Sequence, residues 1–425
     1  MLKRILAITV AVAAGFLLAQ VVTRHAGAPS WWPDRSRDRN VRYFREVLQT
    51  VKEEYVEGDR ANYDDLTRAA LKGMVGQLDP HSEFLTKEEF AETEEELSNQ
   101  FDGVGIQVEQ RDGRIMVISP IPGTSAEEAG VHRGDQLTKV DGQPIATTVL
   151  DKALKLIRGE AGTTVTLTFY RPSAGREIDF LLKRQHILMH SVRNVAIRTD
   201  GIGFLQINQF SEHTGDEFAA ALAKLEEKGL RALIIDLRNN PGGLLDAAID
   251  VCGEFFDKGE LIVFTQGRTK ESRQEYKADG KHPPRHFPIA ILVNGGTASA
   301  AEIVSGAMRD TRRAVIVGEK TFGKGSVQSV IELQNGEGMR LTTARYYTPS
   351  GITIHGKGIS PHVELEISAD DEGKISLQQT RADLTNPAEF AERFGFTPIE
   401  DQQRQAAEEV LVGLLAAHPA QPQKK

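Results

Sequence analysis

The chain has a single cysteine, Cys252, and only two tryptophans, the adjacent Trp31 and Trp32. One thiol cannot form an intramolecular disulfide, and without a Cys pair there is no zinc ribbon or dithiol redox motif. Aromatic residues make up only 6% of the chain, too few for a base-stacking platform. Positive charge is also short, with 51 Lys+Arg against 60 Asp+Glu and a net charge of −9, so a phosphate-backbone partner is disfavoured and no nucleic acid is expected. With 40% hydrophobic and 26% charged residues over 425 positions, the chain is a folded protein of two or three domains.

Met1-Leu2-Lys3-Arg4 precedes an apolar run from Ile5 to Val22, and Ala26-Gly27-Ala28 supplies small residues for cleavage. This pattern reads as an export signal covering residues 1–28. The run is also long enough to anchor in a membrane, so the protein is expected in the periplasm or cell envelope, secreted or anchored through residues 5–22. The tail from His418 to Lys425 is polar and Pro-containing.

Residues 29–100 read as a helical region, with Val41, Phe44, Val47, Leu48, Val51 and Tyr55 at helical spacing and a second helix from Tyr63 to Leu78. The acidic run Glu88–Glu96 is a solvated helix face. Near Phe101 short alternating strands begin, such as Ile115–Ile118 and Val165–Phe169, with Gly-rich turns between them. Gly103-Val104-Gly105-Ile106 opens this stretch, Pro122-Gly123-Thr124-Ser125-Ala126 starts a short helix, and Val149 to Arg158 is a later helix. The glycine pair alone reads as an ordinary β-turn, and Val108 stands where a dinucleotide fingerprint needs its third glycine. The order of the segments over 101–184 resembles a PDZ domain. That resemblance implies that the backbone N–H groups of Gly103, Val104, Gly105 and Ile106 bind a peptide's C-terminal carboxylate.

From about 185 to 366 strands and helices alternate. Ala232–Leu237, broken only by Asp236, and Ile289–Val293 are apolar strands of a buried, largely parallel sheet, whose functional loops belong at the strand ends. Asn294-Gly295-Gly296-Thr297-Ala298-Ser299 lies between a strand and a helix, where free N–H groups suit an oxyanion. Ser299 is therefore a candidate nucleophile, although Ser299-x-x-Glu302 is also a capping box. Gly318 to Ser326 nearly matches a phosphate-binding loop, but Gly325 replaces the required hydroxyl and strand pattern follows where a helix should open. ATP binding remains only a third alternative. In an extended segment Lys324, Ser326 and Gln328 share a face. A lysine is a general base only when neutral, so burial must lower its value from about 10.4. Gln328 can accept from that amine without adding a charge. His186/His190 and His282/His286 have i, i+4 spacing but lie in strand-like and Pro-interrupted sequence, so no metal or other cofactor is expected. No Gly-x-Ser-x-Gly elbow occurs.

The stretches Asn294–Glu302, Val317–Gly325 and Leu341–Gly351, with Leu78-Asp79-Pro80-His81-Ser82, resemble the carboxy-terminal processing (tail-specific) proteases, Ser-Lys peptidases of family S41. The resemblance runs from about Val41 to Leu365. It implies an α/β class: a mixed α/β peptidase core with a crotonase/ClpP-like sheet and flanking helices at 185–366, an inserted PDZ domain, and helical N- and C-terminal regions, the latter at 367–425. It implies Ser299 as nucleophile, Lys324 as base, Gln328 as the lysine-orienting residue, and an oxyanion hole from Ala300 with Gly242 or Gly243. Arg158, closing the second PDZ helix, is a candidate link between peptide binding and catalysis. Thr297, the segment Gly351–His355 and His362 depart from the family pattern without touching the dyad. The expected activity is an exported serine-type endopeptidase acting on protein or peptide substrates with accessible C-termini; the alternative is a noncatalytic PDZ scaffold. The partners it admits are an adaptor protein and a second copy of the chain, the helix at Asp401–Leu415 being a candidate for self-association.

Overall fold

The computed structural model describes residues 35–417, apart from 112, 122, 146–149, 382, 383 and 385. The expected export signal, Trp31, Trp32, Pro122, Val149 and the tail from His418 lie outside the described residues. Among the described residues no helix is long and apolar enough to cross a membrane.

The chain forms two compact units, Met1–Leu78 and Asp79–Lys425. In the first, helices Arg35–Glu54 and Tyr63–Gly76 form as the spacing predicts. Asn62 caps the second by accepting from the Asp65 N–H at 2.8 Å. The stripe residues Val41, Phe44, Val47 and Val51 are exposed.

In the second unit, residues 83–85 depart from the helical expectation. Glu83–Leu85 is a strand, antiparallel to Gly338–Tyr347, with Phe84 and Leu85 buried. Three residues are too few to show a period, so only the tertiary partner reveals the strand. Helix Lys87–Ser98 follows. The PDZ-like segment is a sheet ordered Ile106–Arg111, Arg114–Pro120, Gln136–Val140, Thr164–Arg171, Arg176–Lys183, with Ile106–Arg111 at an edge. Val117, Ala153, Ile157, Leu167 and Phe169 make its core, Ala153 and Ile157 coming from helix Leu150–Ile157.

The larger sheet has six strands in the order Val192–Ile197, Ile202–Ile207, Ala232–Asp236, Ile289–Val293, Val315–Gly318, Val363–Glu364. All neighbours are parallel except the first pair. Every residue of Ala232–Asp236 and Ile289–Val293 is buried because both faces are covered. On one face Leu233, Ile235 and Ile291 pack with Phe218, Val251 and Ile303 from helices Thr214–Glu227, Leu245–Gly253 and Ala300–Asp310. On the other, Ile234, Ala290 and Leu292 pack with Ala407 and Leu411 of helix Gln402–Ala417. The apolar side of that C-terminal helix thus has an intramolecular partner, the sheet. Buried Arg238 fastens it further, donating to Asp236 and, at 2.7 Å, to Asp401. A second sheet joins Glu83–Leu85, Gly338–Tyr347, Leu261–Gly267 and Arg273–Lys277, with Ser326–Glu332 paired to Gly338–Tyr347.

Candidate active site

The turn after Ile289–Val293 is fixed by its own polar side chains. Asn294 Oδ1 accepts from the N–H groups of Asn239 at 2.8 Å and Gly296 at 3.1 Å, and the Thr297 hydroxyl donates to the Leu237 carbonyl at 2.8 Å. These bonds hold the 237–243 loop against the turn. They also give Thr297, a departure from the family pattern, a structural task that a hydroxyl can perform.

Ser299 adopts φ 53°, ψ −117°, a region that a residue with a Cβ occupies only when its surroundings impose it. The imposition is visible. Its N–H donates to Glu302 Oε2 at 2.9 Å, and its carbonyl accepts from the N–H groups of Glu302 and Ile303 at 2.9 and 3.0 Å. The turn places Ser299 immediately before helix Ala300–Asp310, whose first N–H, that of Ala300, has no acceptor among the described residues.

Gly242 and Gly243 lie against this turn, but their N–H groups differ. A Cβ on Gly242 would sit 2.6 Å from Ser299 Cβ and 2.9 Å from the Ala300 nitrogen, so the close approach requires glycine. Its N–H is already used, donating to Asn240 Oδ1 at 2.8 Å. The Gly243 N–H has no acceptor among the described residues. Gly243 is held because Phe210 donates to the Gly242 carbonyl and accepts from the Leu244 N–H, both at 2.8 Å.

Lys324 lies half-buried, and burial, followed by the nearby Arg340 cation, lowers its amine from the ordinary lysine value. Gln328 Nε2 donates to Thr342 Oγ1 at 2.7 Å and to Ser326 Oγ at 3.2 Å, while its Oε1 is buried without a partner. The strict alternation expected for Lys324, Ser326 and Gln328 is modified by a register shift between Val327 and Gln328, so Val327 also reaches the cleft. Ser299, Lys324, Gln328, Gly242 and Gly243 all line this one cleft of about 510 Å³. Among the described residues no side-chain hydrogen bond links Ser299 to Lys324, or Lys324 to Gln328. A larger cavity, about 740 Å³, lies where Gln107, Gln206, Asn239 and Gln379 meet, but it holds no hydroxyl–amine pair of this kind.

Glu302, read from sequence only as a cap, does more. Its fully buried carboxylate accepts from the Thr321 hydroxyl, from the N–H groups of Gly323 and Lys324 at 2.8 Å each, and from Ser299. Burial raises its carboxyl above the usual value, opposed by those four donors. One side chain therefore ties the segments carrying the hydroxyl and the amine. The capping-box spacing was its only sequence signal.

In the PDZ-like segment Gly103 ends strand Gln100–Gly103, paired with Gln185–Leu188, while Val104 and Ile106 are buried. Gly105 has φ +84°, and a Cβ there would lie 2.1 Å from Thr124 Oγ1. The Val104 and Gly105 carbonyls accept from Ala126 and Ile121, but their N–H groups have no acceptor among the described residues. Arg158 does not line the catalytic cleft. It pairs with Glu95 at 3.9 Å and lies over the Phe101 ring, reaching the Lys87–Ser98 helix whose Thr93 and Leu97 do line it. His186 and His190 pair with Asp102 and Glu217. His362 Nδ1 accepts from the Ile316 N–H at 3.0 Å, and burial and Arg309 keep its imidazole below the usual value.

A Bartonella bacilliformis carboxy-terminal-processing protease is 37% identical over 402 residues, covering 90% of this chain and 91% of that protein. The chain belongs to peptidase family S41. The profile described as peptidase family S41 matches residues 201–365, and a PDZ domain profile matches 92–169. A Staphylococcus haemolyticus protein named as a probable CtpA-like serine protease is 38% identical over 333 residues, 78% of this chain; the chain spans 65% of its length. A Bacteroides fragilis protein assigned to the S41 proteases shares the fold, with TM-score 0.50 and 16% identity, over 92% of this chain and 99% of that one. Membership of the family accords with the mixed α/β core, PDZ domain and helical flanks.

Proposed function

We propose that this S41 family member is an exported serine endopeptidase that engages protein C-termini through its PDZ domain and cleaves peptide bonds with Ser299 and Lys324. The observation that carries this reading is the convergence on one cleft of a backbone-strained serine, a lysine with a lowered amine value and the uncommitted Gly243 N–H, with the uncommitted N–H of Ala300 next to Ser299 in the chain. Ser299 Oγ attacks the carbonyl carbon as its proton passes to neutral Lys324 Nζ. The oxyanion accepts from Gly243 and Ala300, since the Gly242 N–H is spent on Asn240. The resulting ammonium protonates the leaving amine, and water then hydrolyses the acyl-enzyme with the lysine again as base. Gln328 Oε1 steers the amine.

The Ser299–Lys324 bond is open here, so catalysis requires the cleft to tighten, and PDZ occupancy is the proposed trigger. The free edge at Ile106–Arg111 suits an added peptide strand, its carboxylate on the N–H groups of Val104 and Gly105. Arg158 would pass the signal to the Lys87–Ser98 helix. Export rests on residues 1–28, and an adaptor and self-association belong to the same proposal.

The test is turnover of unfolded β-casein by the wild type, Ser299→Ala and Lys324→Ala. Both substitutions should abolish cleavage while leaving peptide binding intact. Cleavage that survives either one refutes the dyad.

A further inference from the structure

The cavity of about 740 Å³ lies between the PDZ-like segment, which contributes Gln107 and Pro120, and the edge of the larger sheet, which contributes Arg193 and Gln206. In a chain with 60 Asp and Glu residues, none of those described lines it, whereas two guanidinium groups do. Arg238 is spent on Asp236 and Asp401. Arg193 has only neutral acceptors. Its Nε donates to the His190 carbonyl at 3.1 Å, and Nε and Nη1 donate to Asn208 Oδ1 at 2.9 and 3.3 Å in the amide orientation that satisfies both groups. Among the described residues no carboxylate lies within ion-pair distance of Arg193, and its Nη2 has no acceptor. Glu217, the carboxylate whose charge acts on it, already accepts from the N–H groups of Ser191 at 2.7 Å and Val192 at 3.0 Å and bonds to His190 at 2.9 Å. Burial outweighs Glu217 and holds the guanidinium below its ordinary value, as for a cation that has lost water without gaining a counter-charge. Arginine stays protonated all the same.

The docking of a chain terminus decides which group would meet this cation. With its carboxylate on the N–H groups of Val104 and Gly105, an antiparallel strand on the free edge has its last residue beside Ile106, the next beside Gln107 and the third beside Val108. Ile106 and Val108 pack into the PDZ core, while Gln107 alternates to the opposite face and lines the cavity. Residues paired across two strands share a face. The terminal side chain and the third therefore turn to the apolar face, and the next-to-last turns with Gln107 into the cavity. Gln107 Oε1 accepts from the Ser119 hydroxyl at 3.4 Å, and its Nε2 has no acceptor among the described residues. One pleat further along, the same face carries Glu109, which repels an acidic side chain there.

We infer that Arg193 reads the next-to-last residue of a bound chain terminus and selects Asp or Glu at that place, with Gln107 Nε2 as a second donor to the carboxylate. The inference rests on the reading that the PDZ segment captures C-termini and adds to it a substrate class, tails that end in an acidic residue followed by an apolar one. Arg193 is a specificity-determining residue supplied by strand Val192–Ile197 of the core, so neither domain alone carries the complete site.

The experiment measures Kd by fluorescence anisotropy for a labelled peptide ending in Glu-Val, its Gln-Val counterpart and the C-terminally amidated Glu-Val peptide. The protein is the full chain with Ser299→Ala, which prevents cleavage, alone and combined with Arg193→Met or Gln107→Glu. Glu-Val should bind roughly 10- to 100-fold more tightly than Gln-Val, the worth of hydrogen bonds to a charged group. Arg193→Met should erase that ratio and keep the loss on amidation; Gln107→Glu should shrink the ratio by placing a like charge beside the ligand. If amidation costs nothing in any of the proteins, the docking reading is wrong and the inference falls with it. If amidation weakens binding but Glu-Val and Gln-Val bind alike, or if Arg193→Met keeps their ratio, Arg193 does not read the tail. If Arg193→Met removes the penalty of amidation instead, the guanidinium holds the terminal carboxylate and the inference is overturned. Should Arg193→Met fail to fold, Gln107→Glu decides, and an unchanged ratio there overturns the inference.

Discussion

Replacing Glu302 with Gln tests whether one carboxylate positions both halves of the dyad. The substitution conserves volume but converts one oxygen into NH₂. Oε2 serves the N–H groups of Ser299 and Lys324, and Oε1 serves the Gly323 N–H and the Thr321 hydroxyl. If NH₂ takes the Oε2 place, two N–H groups lose their acceptor. If it takes the Oε1 place, the Thr321 hydroxyl, which already accepts from the Ile359 N–H at 2.7 Å, must turn its hydrogen away and accept from the NH₂ as well, and of the N–H groups only that of Gly323 loses its acceptor. The second orientation wins, at a cost of about 1–3 kcal/mol for one orphaned buried N–H. Glu302→Ala orphans three N–H groups and must cost more. Because Gly323 directly precedes Lys324, the loss should fall on turnover as well. The assays are urea unfolding of the Asp79–Lys425 unit within the full chain and acylation of Ser299 by a fluorophosphonate probe. Glu302→Gln with unaltered stability and acylation rate would refute the clamp.

Four further outcomes follow from the same geometry. Burial, then Arg340, disfavours the charged amine of Lys324, so kcat/KM should rise as pH passes upward through its lowered value, and Arg340→Met should move that limb to higher pH; an unmoved limb contradicts the assignment. The same folded-state lowering means the ammonium opposes folding below the unfolded lysine value, so Lys324→Met should raise Tm at neutral pH while abolishing turnover. Gly243→Ala would place Cβ 2.0 Å from the Phe210 carbonyl oxygen; the displaced N–H should lower kcat about 10²- to 10³-fold, and near-normal kcat would exclude Gly243 as a donor. Asp401 lies below the usual carboxyl value because its bonds to Arg238 outweigh burial; its stabilisation is present above the unfolded value and lost as pH falls through the folded one. Acid should therefore expose helix Gln402–Ala417 to protease earlier than the rest of the core, and Asp401→Asn should do so at neutral pH, with roughly 3–5 kcal/mol as the upper bound for breaking such a buried pair.

Local chemistry was enough to mark much of this protein from its sequence. Apolar runs such as Ile289–Val293 must be buried wherever they lie, and a run ending in Asn294-Gly295-Gly296 must turn, so the parallel sheet and the place of Ser299 follow from short-range pattern. Lys324 and Gln328 were legible for the same reason, being four residues apart in one segment. What sequence could not weigh was the partner of each group. Glu302 looked like a cap until the fold carried Thr321, Gly323 and Lys324 to its other lone pairs. Asp236 interrupted an apolar strand without apparent reason until Arg238 and Asp401 met around it. Gly242 and Gly243 were indistinguishable because glycine confers the same freedom on both; only the Asn240 side chain, taking one N–H and leaving the other, separates them. Hydrogen-bond direction and desolvation depend on every atom within a few ångströms, and those atoms come from segments hundreds of residues apart, as Ser82 and Thr342 do. Sequence set which groups were available, and tertiary structure decided which were already spent.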